Sequence, residues 1–214
     1  MYTLYGYPKT RSVRIAWALE EIGLPYDYKV IDLKAGEHLS DEYKAISPAA
    51  KIPVLTTPEG TLTESAAIVT FLAERHGMHE FIPAPGSFER AKYEEMMLFL
   101  TNELEQPIWN LAKHTFALPK EQRLERMQDV AVWEFKRALP VFSSMLGDSE
   151  FVCGNMFTMA DVIAGHILAW AKGSKLDLTL DGTLENVSVY AQRVLSREAH
   201  ERAWRKEMAQ IAEN

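Results

Sequence analysis

Cysteine and basic residues are scarce in this sequence, and each shortage excludes a class of function. Cys153 is the only cysteine among 214 residues, which excludes an internal disulfide framework and a cysteine-rich metal site. Lys and Arg number 23 against 30 Asp and Glu, which gives a net charge of -7. Because phosphate binding requires concentrated cations, this balance argues against nucleic acid as the main partner.

Long hydrophobic runs and targeting signals are also missing. No apolar stretch approaches the roughly 20 residues that span a bilayer. Residues 1–5 lack the basic and apolar regions of a signal peptide. These features predict a protein of the reducing cytoplasm that has no membrane partner. Hydrophobic residues nevertheless make up 47% of the sequence, enough for a compact folded core.

Residues 1–78 alternate between strand and helix patterns. The predicted strands cover residues 2–5, 26–33, 52–56 and 61–62. The predicted helices cover residues 10–22, 40–46 and 65–76. The strand–helix–strand start predicts two parallel strands with a right-handed crossover, and the last two strands predict a hairpin. This order indicates one α/β domain.

The rest of the chain shows helical patterns only. A linker with Pro and Gly covers residues 79–88. The predicted helices that follow cover residues 89–111, 119–146, 159–172, 184–195 and 198–213. Pro140 falls inside the second of these and predicts a kink there. The sequence therefore predicts an α/β domain over 1–78 and an all-helical domain over 89–214.

Two motifs in residues 47–68 suggest a binding site. Pro53 interrupts a short apolar run, and since proline cannot donate to a sheet ladder, it predicts a special turn that leaves the main chain of Ile52 free. Glu64 and Ser65 open a helical pattern, and the N-terminus of a helix can hold an anion. On these residues alone, an edge hairpin followed by a capped helix is an equally good interpretation.

Three segments in this order resemble the cytosolic glutathione transferase superfamily, chiefly its bacterial members. They are 47–55 (Ser-Pro-Ala-Ala-Lys-Ile-Pro-Val-Leu), 63–68 (Thr-Glu-Ser-Ala-Ala-Ile) and 154–161 (Gly-Asn-Met-Phe-Thr-Met-Ala-Asp). The resemblance covers nearly the whole chain. It implies a thioredoxin-like N-terminal domain, an all-α C-terminal domain that forms the electrophile pocket, and a homodimer. It also implies a cytoplasmic detoxification enzyme that uses glutathione as co-substrate and needs no metal.

The resemblance implies specific contacts to glutathione. The main chain of Ile52 would pair with the cysteinyl part as an added strand, beside a cis Pro53. Glu64 would accept from the γ-glutamyl ammonium, and Ser65 would bind the γ-glutamyl carboxylate at a helix N-terminus. Plain helix capping is the alternative role of these two residues. Lys51 would help to hold glutathione and His38 would reach the glycyl carboxylate, unless these loop side chains are merely solvated. Arg11 and Arg14, near the start of the first helix, would stabilise the thiolate by their positive charge, unless they are surface charges.

Three hydroxyl groups are candidates for activating the glutathione thiol. A free thiol has a pKa of about 8.5, so a hydrogen-bond donor and a helix N-terminus are needed to stabilise the thiolate. Alignment on the first strand places Thr10 at the reactive position, with Ser12 two residues later. Tyr7 has the residue type of the tyrosine-dependent classes. We rank them in that order, although alignment on the end of the helix shifts the position to Lys9 or Arg11.

The helical region offers candidates for the electrophile pocket. Tyr93, Met97 and Trp109 lie on the first long helix, although aromatic residues and methionine at helical spacing also suit a core. The stretch 158–161 fits a capping box before an apolar helix, which we interpret as structural. Cys153 has no cysteine partner and is interpreted as an inert residue at the core edge.

The predicted reaction is attack of the glutathione thiolate on a small, largely apolar electrophile. Two alternatives keep the same fold. One is glutathione-dependent reduction of disulfides or peroxides, in which the lack of a cysteine in the first loop argues against a mixed disulfide with the protein. The other is a catalytically silent binding or interaction protein, which the irregular loop around Thr10 also permits.

Overall fold

The structure is a computed structural model that describes residues 1–212 of the chain. It divides into two compact units. The first comprises Met1–Ile82 with the segment that begins at Ser196, and the second comprises Pro83–Leu195. The C-terminal segment therefore belongs to the first unit, which differs from the predicted all-helical domain over 89–214. Residues 213 and 214, the end of that predicted domain, lie outside the described part.

A four-stranded sheet forms the centre of the first unit within the described residues. Its strands are β1 (Tyr2–Gly6), β2 (Tyr26–Val30), β3 (Val54–Thr57) and β4 (Gly60–Leu62), in the order β2-β1-β3-β4. β1 and β2 are parallel, and β3 and β4 form an antiparallel hairpin, so both predicted pairings are confirmed. β2 ends before residue 33 because Asp32 accepts hydrogen bonds from the N–H groups of Lys34 and Ala35 and makes a turn.

Four helices surround this sheet in the described part of the first unit. They are α1 (Ser12–Ile22), α2 (Asp41–Ile46), α3 (Ser65–Arg75) and the C-terminal α9 (Glu198–Ala212). Gly23 ends α1 in the left-handed conformation, with φ of 76°, and donates to the Leu19 carbonyl. α1 packs on α9, where the fully buried Trp17 ring lies 4.6 Å from the His200 ring centroid. The C-terminal helix thereby completes the core of this unit.

The second unit is helical. Its helices are α4 (Phe88–Phe99), α5 (Glu105–Ala112), α6 (Glu125–Leu146), α7 (Met159–Gly173) and α8 (Glu185–Leu195). The predicted helix 89–111 contains a π-helical turn over Leu100–Leu104. That turn precedes Pro107, which has no N–H to give to the carbonyl four residues earlier. α6 begins later than predicted, because a 3-10 turn occupies Lys120–Gln122, and it continues through Pro140.

α7 is the buried central helix that the sequence predicts. Nearly all of its side chains are buried, from Met159 to Ala171. Thr158 and Asp161 form the predicted capping box at its start. Within the described residues, none of the helices combines the length and apolarity needed to cross a membrane.

Candidate active site

One edge of the sheet brings together the loops that carry the predicted glutathione contacts. Tyr5 lies opposite Val54 in the antiparallel pair, so the end of β1 and the start of β3 share this edge. The end of β2 is there too, because Gly6 lies beside Val30. We call this the site edge. The loops that reach it, including the one after β4, cover residues 7–11, 31–40, 47–53 and 63–64.

The turn before β3 presents the main chain of Ile52. The Ile52–Pro53 peptide bond is cis, as the resemblance implied. The carbonyl of Lys51 is held by the hydroxyls of Tyr43 and Ser47, each 2.9 Å away. Within residues 1–212, neither the N–H nor the C=O of Ile52 has a hydrogen-bond partner. A peptide-like ligand can therefore pair with this residue as a strand does, and the side chain of Lys51 is exposed beside it.

The start of α3 combines a hydroxyl with a buried cation. Glu64 precedes the helix with a φ of 66°, a conformation that is uncommon for residues other than glycine and is concentrated at functional sites. Ser65 is the first helical residue, and its Oγ accepts a hydrogen bond of 3.0 Å from Nη1 of Arg14. Arg14 is only 1% exposed. The guanidinium and the helix N-terminus both favour a negative group beside Ser65.

The loop after β1 holds the three candidate hydroxyls in different environments. Thr10 is half-buried, and its Oγ1 donates to the Tyr7 carbonyl at 2.6 Å and lies 2.9 Å from the Ser12 Oγ. Ser12 is fully buried, and its Oγ accepts from the Tyr7 N–H at 3.2 Å. A fully buried hydroxyl cannot contact a thiol at the surface, so the role left to Ser12 is to hydrogen-bond Thr10 from the protein interior. Tyr7 takes part through its main chain, and its side chain is half-buried.

A buried carboxyl group lies behind this loop. Glu207 of α9 is fully buried and accepts from the Tyr28 hydroxyl at 3.0 Å and from the Lys9 N–H at 3.4 Å. Burial raises the pKa of Glu207 to about 8, and the hydrogen bonds from Tyr28 and Lys9 oppose the shift. Gly6 permits this packing, since a Cβ there would lie 2.3 Å from the Ser12 Oγ.

Two predicted basic residues also lie at the site edge. His38 is in the 3-10 turn Glu37–Leu39, and its Nδ1 is buried without a hydrogen-bond partner in the part of the chain that the structure describes. Buried polar atoms normally have a partner, so this nitrogen is an exception, while the imidazole as a whole is half-buried. Arg11 is half-buried, and its carbonyl accepts from the Arg14 N–H at the start of α1. The basic side chains of His38 and Arg11 suit a ligand with two carboxylates.

The predicted pocket residues of the second unit divide into core and partly exposed positions. Tyr93 is fully buried and Met97 is 5% exposed, so both are core residues, which differs from the prediction that they line a pocket. Their spacing of four places them on the same inner face of α4. Trp109 is half-buried, with its ring centroid 6.3 Å from that of Trp170. Trp109 alone among the three predicted residues keeps part of its side chain exposed.

Cys153 belongs to the second unit, whereas the loops at the site edge belong to the first. Burial raises the pKa of Cys153 to about 11, so the group stays a thiol at neutral pH. Over residues 1–212, no group of three or more His, Cys, Asp or Glu side chains is placed to hold a metal ion.

Both units match known proteins. Residues 1–74 match the family model of the glutathione S-transferase N-terminal domain, and residues 109–198 that of the C-terminal domain. The chain is 28% identical over 196 residues to Glutathione S-transferase GstA of Escherichia coli O157:H7, covering 91% of this chain and 92% of that protein. It is 30% identical over 171 residues to Glutathione S-transferase 3 of Zea mays, covering 77% and 75%.

A solved structure extends the similarity to the fold. The crystal structure of a glutathione transferase family member from Pseudomonas fluorescens pf-5, with two glutathione bound, has a TM-score of 0.82 and 25% identity. The match covers 95% of this chain and 92% of that one. The thioredoxin-like and helical architecture that the sequence predicts is therefore confirmed over nearly the whole chain.

Proposed function

This chain belongs to the cytosolic glutathione transferase superfamily, and we propose that it activates the thiol of glutathione for attack on a small, largely apolar electrophile. The observation that carries the proposal is the hydrogen bond from the buried Arg14 guanidinium to the Ser65 hydroxyl. It fixes a positive charge behind a helix N-terminus, which suits the γ-glutamyl carboxylate.

The other parts of glutathione have complementary groups at the site edge. The unpaired main chain of Ile52 would bind the cysteinyl unit like an added strand. Glu64 is exposed and would accept from the γ-glutamyl ammonium. The half-buried side chain of His38 and the exposed side chain of Lys51 would bind the glycyl carboxylate. This distribution orients the thiol toward the loop after β1.

Thr10 is the residue that we propose to contact the sulfur. Of the hydrogen-bonded pair Thr10 and Ser12, only Thr10 is partly exposed, and it lies just before the N-terminus of α1. A donated hydrogen bond and the helix dipole stabilise the thiolate over the thiol. The thiol proton is released to solvent, and the thiolate attacks the electrophilic carbon to form a C–S bond. The electron pair of the bond that breaks goes to the leaving group of an aryl halide, the oxygen of an epoxide or the enolate of an enone.

Substitution of Ser65 tests the binding part of the proposal. Ser65→Ala leaves the Arg14 guanidinium without its hydroxyl partner and removes one contact to the carboxylate. We expect glutathione affinity, measured by calorimetry, to fall about tenfold or more, as for loss of a hydrogen bond to a charged group worth about 1.5–3 kcal/mol. Ser188→Ala, at an exposed serine of α8, is the matched control and should not change the affinity.

Two outcomes would contradict the proposed function. One is unchanged glutathione affinity in Ser65→Ala, which would remove Ser65 from the site. The other is a wild-type protein that neither binds immobilised glutathione nor conjugates it across a panel of aryl halides, epoxides and enones. That second result would favour the catalytically silent binding protein of the same fold.

Glutathione-dependent disulfide reduction is a second candidate, favoured by the two glutathione molecules in the related structure from Pseudomonas fluorescens. In this reaction the first thiolate attacks a disulfide and releases one thiolate product. A second glutathione thiolate then attacks the mixed disulfide, which yields oxidised glutathione and the second thiolate product. Comparison of conjugation rates with reduction of a small disulfide, in the presence of excess glutathione, separates the two candidates.

We also propose that the protein acts as a cytoplasmic homodimer. Phe88 and Leu98 of α4 are 75% and 62% exposed, and large apolar side chains at a surface often mark an interface. Light scattering during gel filtration should give twice the mass of the chain, and a monomeric mass across the micromolar range would refute this assignment.

A further inference from the structure

We propose that Tyr43 and Ser47 are positioning residues for glutathione, because their hydroxyls fix the peptide plane that directs the N–H of Ile52 toward the ligand. The inference rests on the proposed function, in which the main chain of Ile52 pairs with the cysteinyl unit. It assigns a role in recognition to the last turn of α2 and the residue after it, which none of the contacts implied by the resemblance includes.

The two hydroxyls lie on one face of the chain because they are four residues apart. Tyr43 is in α2, and the Ser47 N–H donates to its carbonyl at 2.9 Å, so Ser47 continues the helical spacing. Pro48 ends the helix, since the residue before a proline is pushed out of the helical conformation, and Ser47 has a φ of -138°. The chain then turns back, with the Ala50 N–H donating to the Ser47 carbonyl at 2.8 Å. This turn places Lys51 beside both hydroxyls.

Both hydroxyls donate to the same carbonyl, that of Lys51, and each lies 2.9 Å from its oxygen. Ser47 also accepts from the Lys51 N–H at 3.2 Å, so its hydroxyl bonds both main-chain groups of that residue. A carbonyl oxygen has two lone pairs, and the two donors use both of them. Ser47 is fully buried and Tyr43 nearly so, which leaves water little access to replace either bond. The Lys51 carbonyl is therefore fixed in one direction.

The fixed carbonyl determines the direction of the next N–H group. The Lys51–Ile52 peptide bond is trans, and in a planar trans peptide the C=O and the following N–H point in opposite directions. Because the Lys51 carbonyl points to Tyr43 and Ser47, the Ile52 N–H points away from them, and within residues 1–212 it has no hydrogen-bond partner. An N–H held in this way is pre-organised for a strand-like ligand, which reduces the ordering cost of binding.

Tyr43 itself is held by the core of the first unit. Its ring packs with Ile31 and Val54 and meets the Tyr5 ring edge-on, at 6.4 Å between centroids. Burial raises the pKa of Tyr43 to about 12, so the hydroxyl keeps its proton and remains a donor at neutral pH. The substitution Tyr43→Phe keeps the packing of the ring and removes only this donor.

Calorimetry of glutathione binding tests the role of Tyr43. Tyr43→Phe should weaken glutathione binding about fivefold, the order expected for loss of one hydrogen bond between neutral groups. Tyr2→Phe is the matched control: its hydroxyl also has a partner, His76 at 2.9 Å, but Tyr2 begins β1 at the end opposite the site edge. The control should bind glutathione like the wild type. Wild-type affinity in Tyr43→Phe would overturn the proposal.

A glutathione analogue separates positioning from a general effect on the fold. In a hydrogen-bonded strand pair two residues exchange both bonds, so the Ile52 N–H would donate to the cysteinyl carbonyl. An analogue with an (E)-alkene in place of the cysteinyl–glycine amide keeps the shape and lacks that acceptor. Tyr43→Phe should change the affinity for this analogue by less than about twofold. If Tyr43→Phe weakens both ligands by the same factor, its hydroxyl serves only the fold, and the proposal is overturned.

Carbonyl NMR of the free protein tests the two hydrogen bonds without glutathione. Loss of a donated hydrogen bond moves a carbonyl carbon resonance upfield. We therefore expect the Lys51 resonance to move upfield in Tyr43→Phe and in Ser47→Ala, and not in Tyr2→Phe. Ser47→Ala changes a fully buried position, so if that variant does not fold, Tyr43→Phe alone decides. An unchanged Lys51 resonance in Tyr43→Phe would overturn the proposal.

Steady-state kinetics of conjugation gives the functional readout. In Tyr43→Phe the KM for glutathione should rise about fivefold while kcat stays within about twofold of wild type, because a contact made equally in the ground and transition states changes KM alone. A lower kcat at unchanged KM would overturn the proposal. A wild type that does not bind glutathione would overturn the proposed function and this role with it. A wild type that binds glutathione no better than Tyr43→Phe does would overturn this role alone.

Discussion

Replacing Asp161 with asparagine should destabilise the second unit strongly. The Asp161 carboxylate is fully buried and accepts four hydrogen bonds. Its Oδ1 accepts from the Val152 N–H at 2.9 Å and the Tyr190 hydroxyl at 2.8 Å. Its Oδ2 accepts from the N–H and hydroxyl of Thr158, at 2.7 and 3.0 Å. Asparagine has almost the same shape, so the change isolates the hydrogen-bond pattern.

The size of the expected loss of stability follows from the two main-chain N–H donors, which bond different oxygens of the Asp161 carboxylate. Asparagine has only one oxygen, so in either orientation its NH2 group faces the N–H of Val152 or of Thr158. One buried N–H is then left unsatisfied, at a cost of about 1–3 kcal/mol. Loss of the negative charge also weakens the remaining bonds, by roughly 1 kcal/mol each. The sum is about 3–5 kcal/mol, a large share of the stability of a typical domain.

Urea unfolding followed by circular dichroism measures this loss. The comparison belongs at pH 7 or above: burial raises the pKa of Asp161 to about 6, opposed by the four donated hydrogen bonds, so the wild-type group is ionised there. Asp148→Asn, at an exposed aspartate, is the matched control and should change the free energy of unfolding by less than about 0.5 kcal/mol. If Asp161→Asn lies within about 1 kcal/mol of this control, the hydrogen-bond reasoning is wrong.

Three further predictions concern the first unit. Thr10→Val should raise the pKa of the bound glutathione thiol toward about 8.5 and lower kcat/KM at pH 7 about tenfold, whereas Thr10→Ser should change neither. If ultraviolet absorbance gives the same thiol pKa in Thr10→Val as in the wild type, this prediction is refuted. The pKa of Glu207 is raised from 4.5 to about 8, so the folded protein holds this proton more tightly than the unfolded chain. The stability that this proton contributes is fully present below pH 4.5 and is lost as the pH rises to 8. At about 1.4 kcal/mol per pH unit the loss reaches up to about 5 kcal/mol, so thermal unfolding should depend less on pH in Glu207→Gln than in the wild type. Gly6→Ala should destabilise by about 1–3 kcal/mol through its clash with Ser12, whereas Gly173→Ala, with open space around it, should not.

The element boundaries could be predicted because their causes are local. Gly23 ends α1, Ser40 caps α2 by accepting from the Tyr43 N–H, and Thr158 opens α7 within a capping box. Each signal acts within four residues of the boundary that it sets. The thioredoxin-like order of strands and helices follows from these boundaries. The π-helical turn over Leu100–Leu104 has only a weak local cause in Pro107, so helical spacing alone predicted one unbroken helix.

The cation at the start of α3 could not be predicted in this way. Arg14 is surrounded in the sequence by apolar residues of α1, and an arginine at such a position is normally placed at the surface. One partner of the buried guanidinium is Ser65, which is 51 positions away and accepts its hydrogen bond. A helical pattern contains no information about a partner on another element. The sequence therefore indicated positive charge near the site, but not that the Ser65 hydroxyl would bond the Arg14 guanidinium.

The choice among the loop hydroxyls depends on a still more distant contact. Thr10 and Ser12 are separated by one residue, and alignment alone does not show which one faces outward. Packing of Ser12 against Gly6 and Tyr28 turns Ser12 inward and leaves Thr10 half-exposed. That packing is closed from behind by Glu207, 198 positions from the loop residue whose N–H it accepts. The orientation of the loop is thus a property of the whole first unit, including its C-terminal helix.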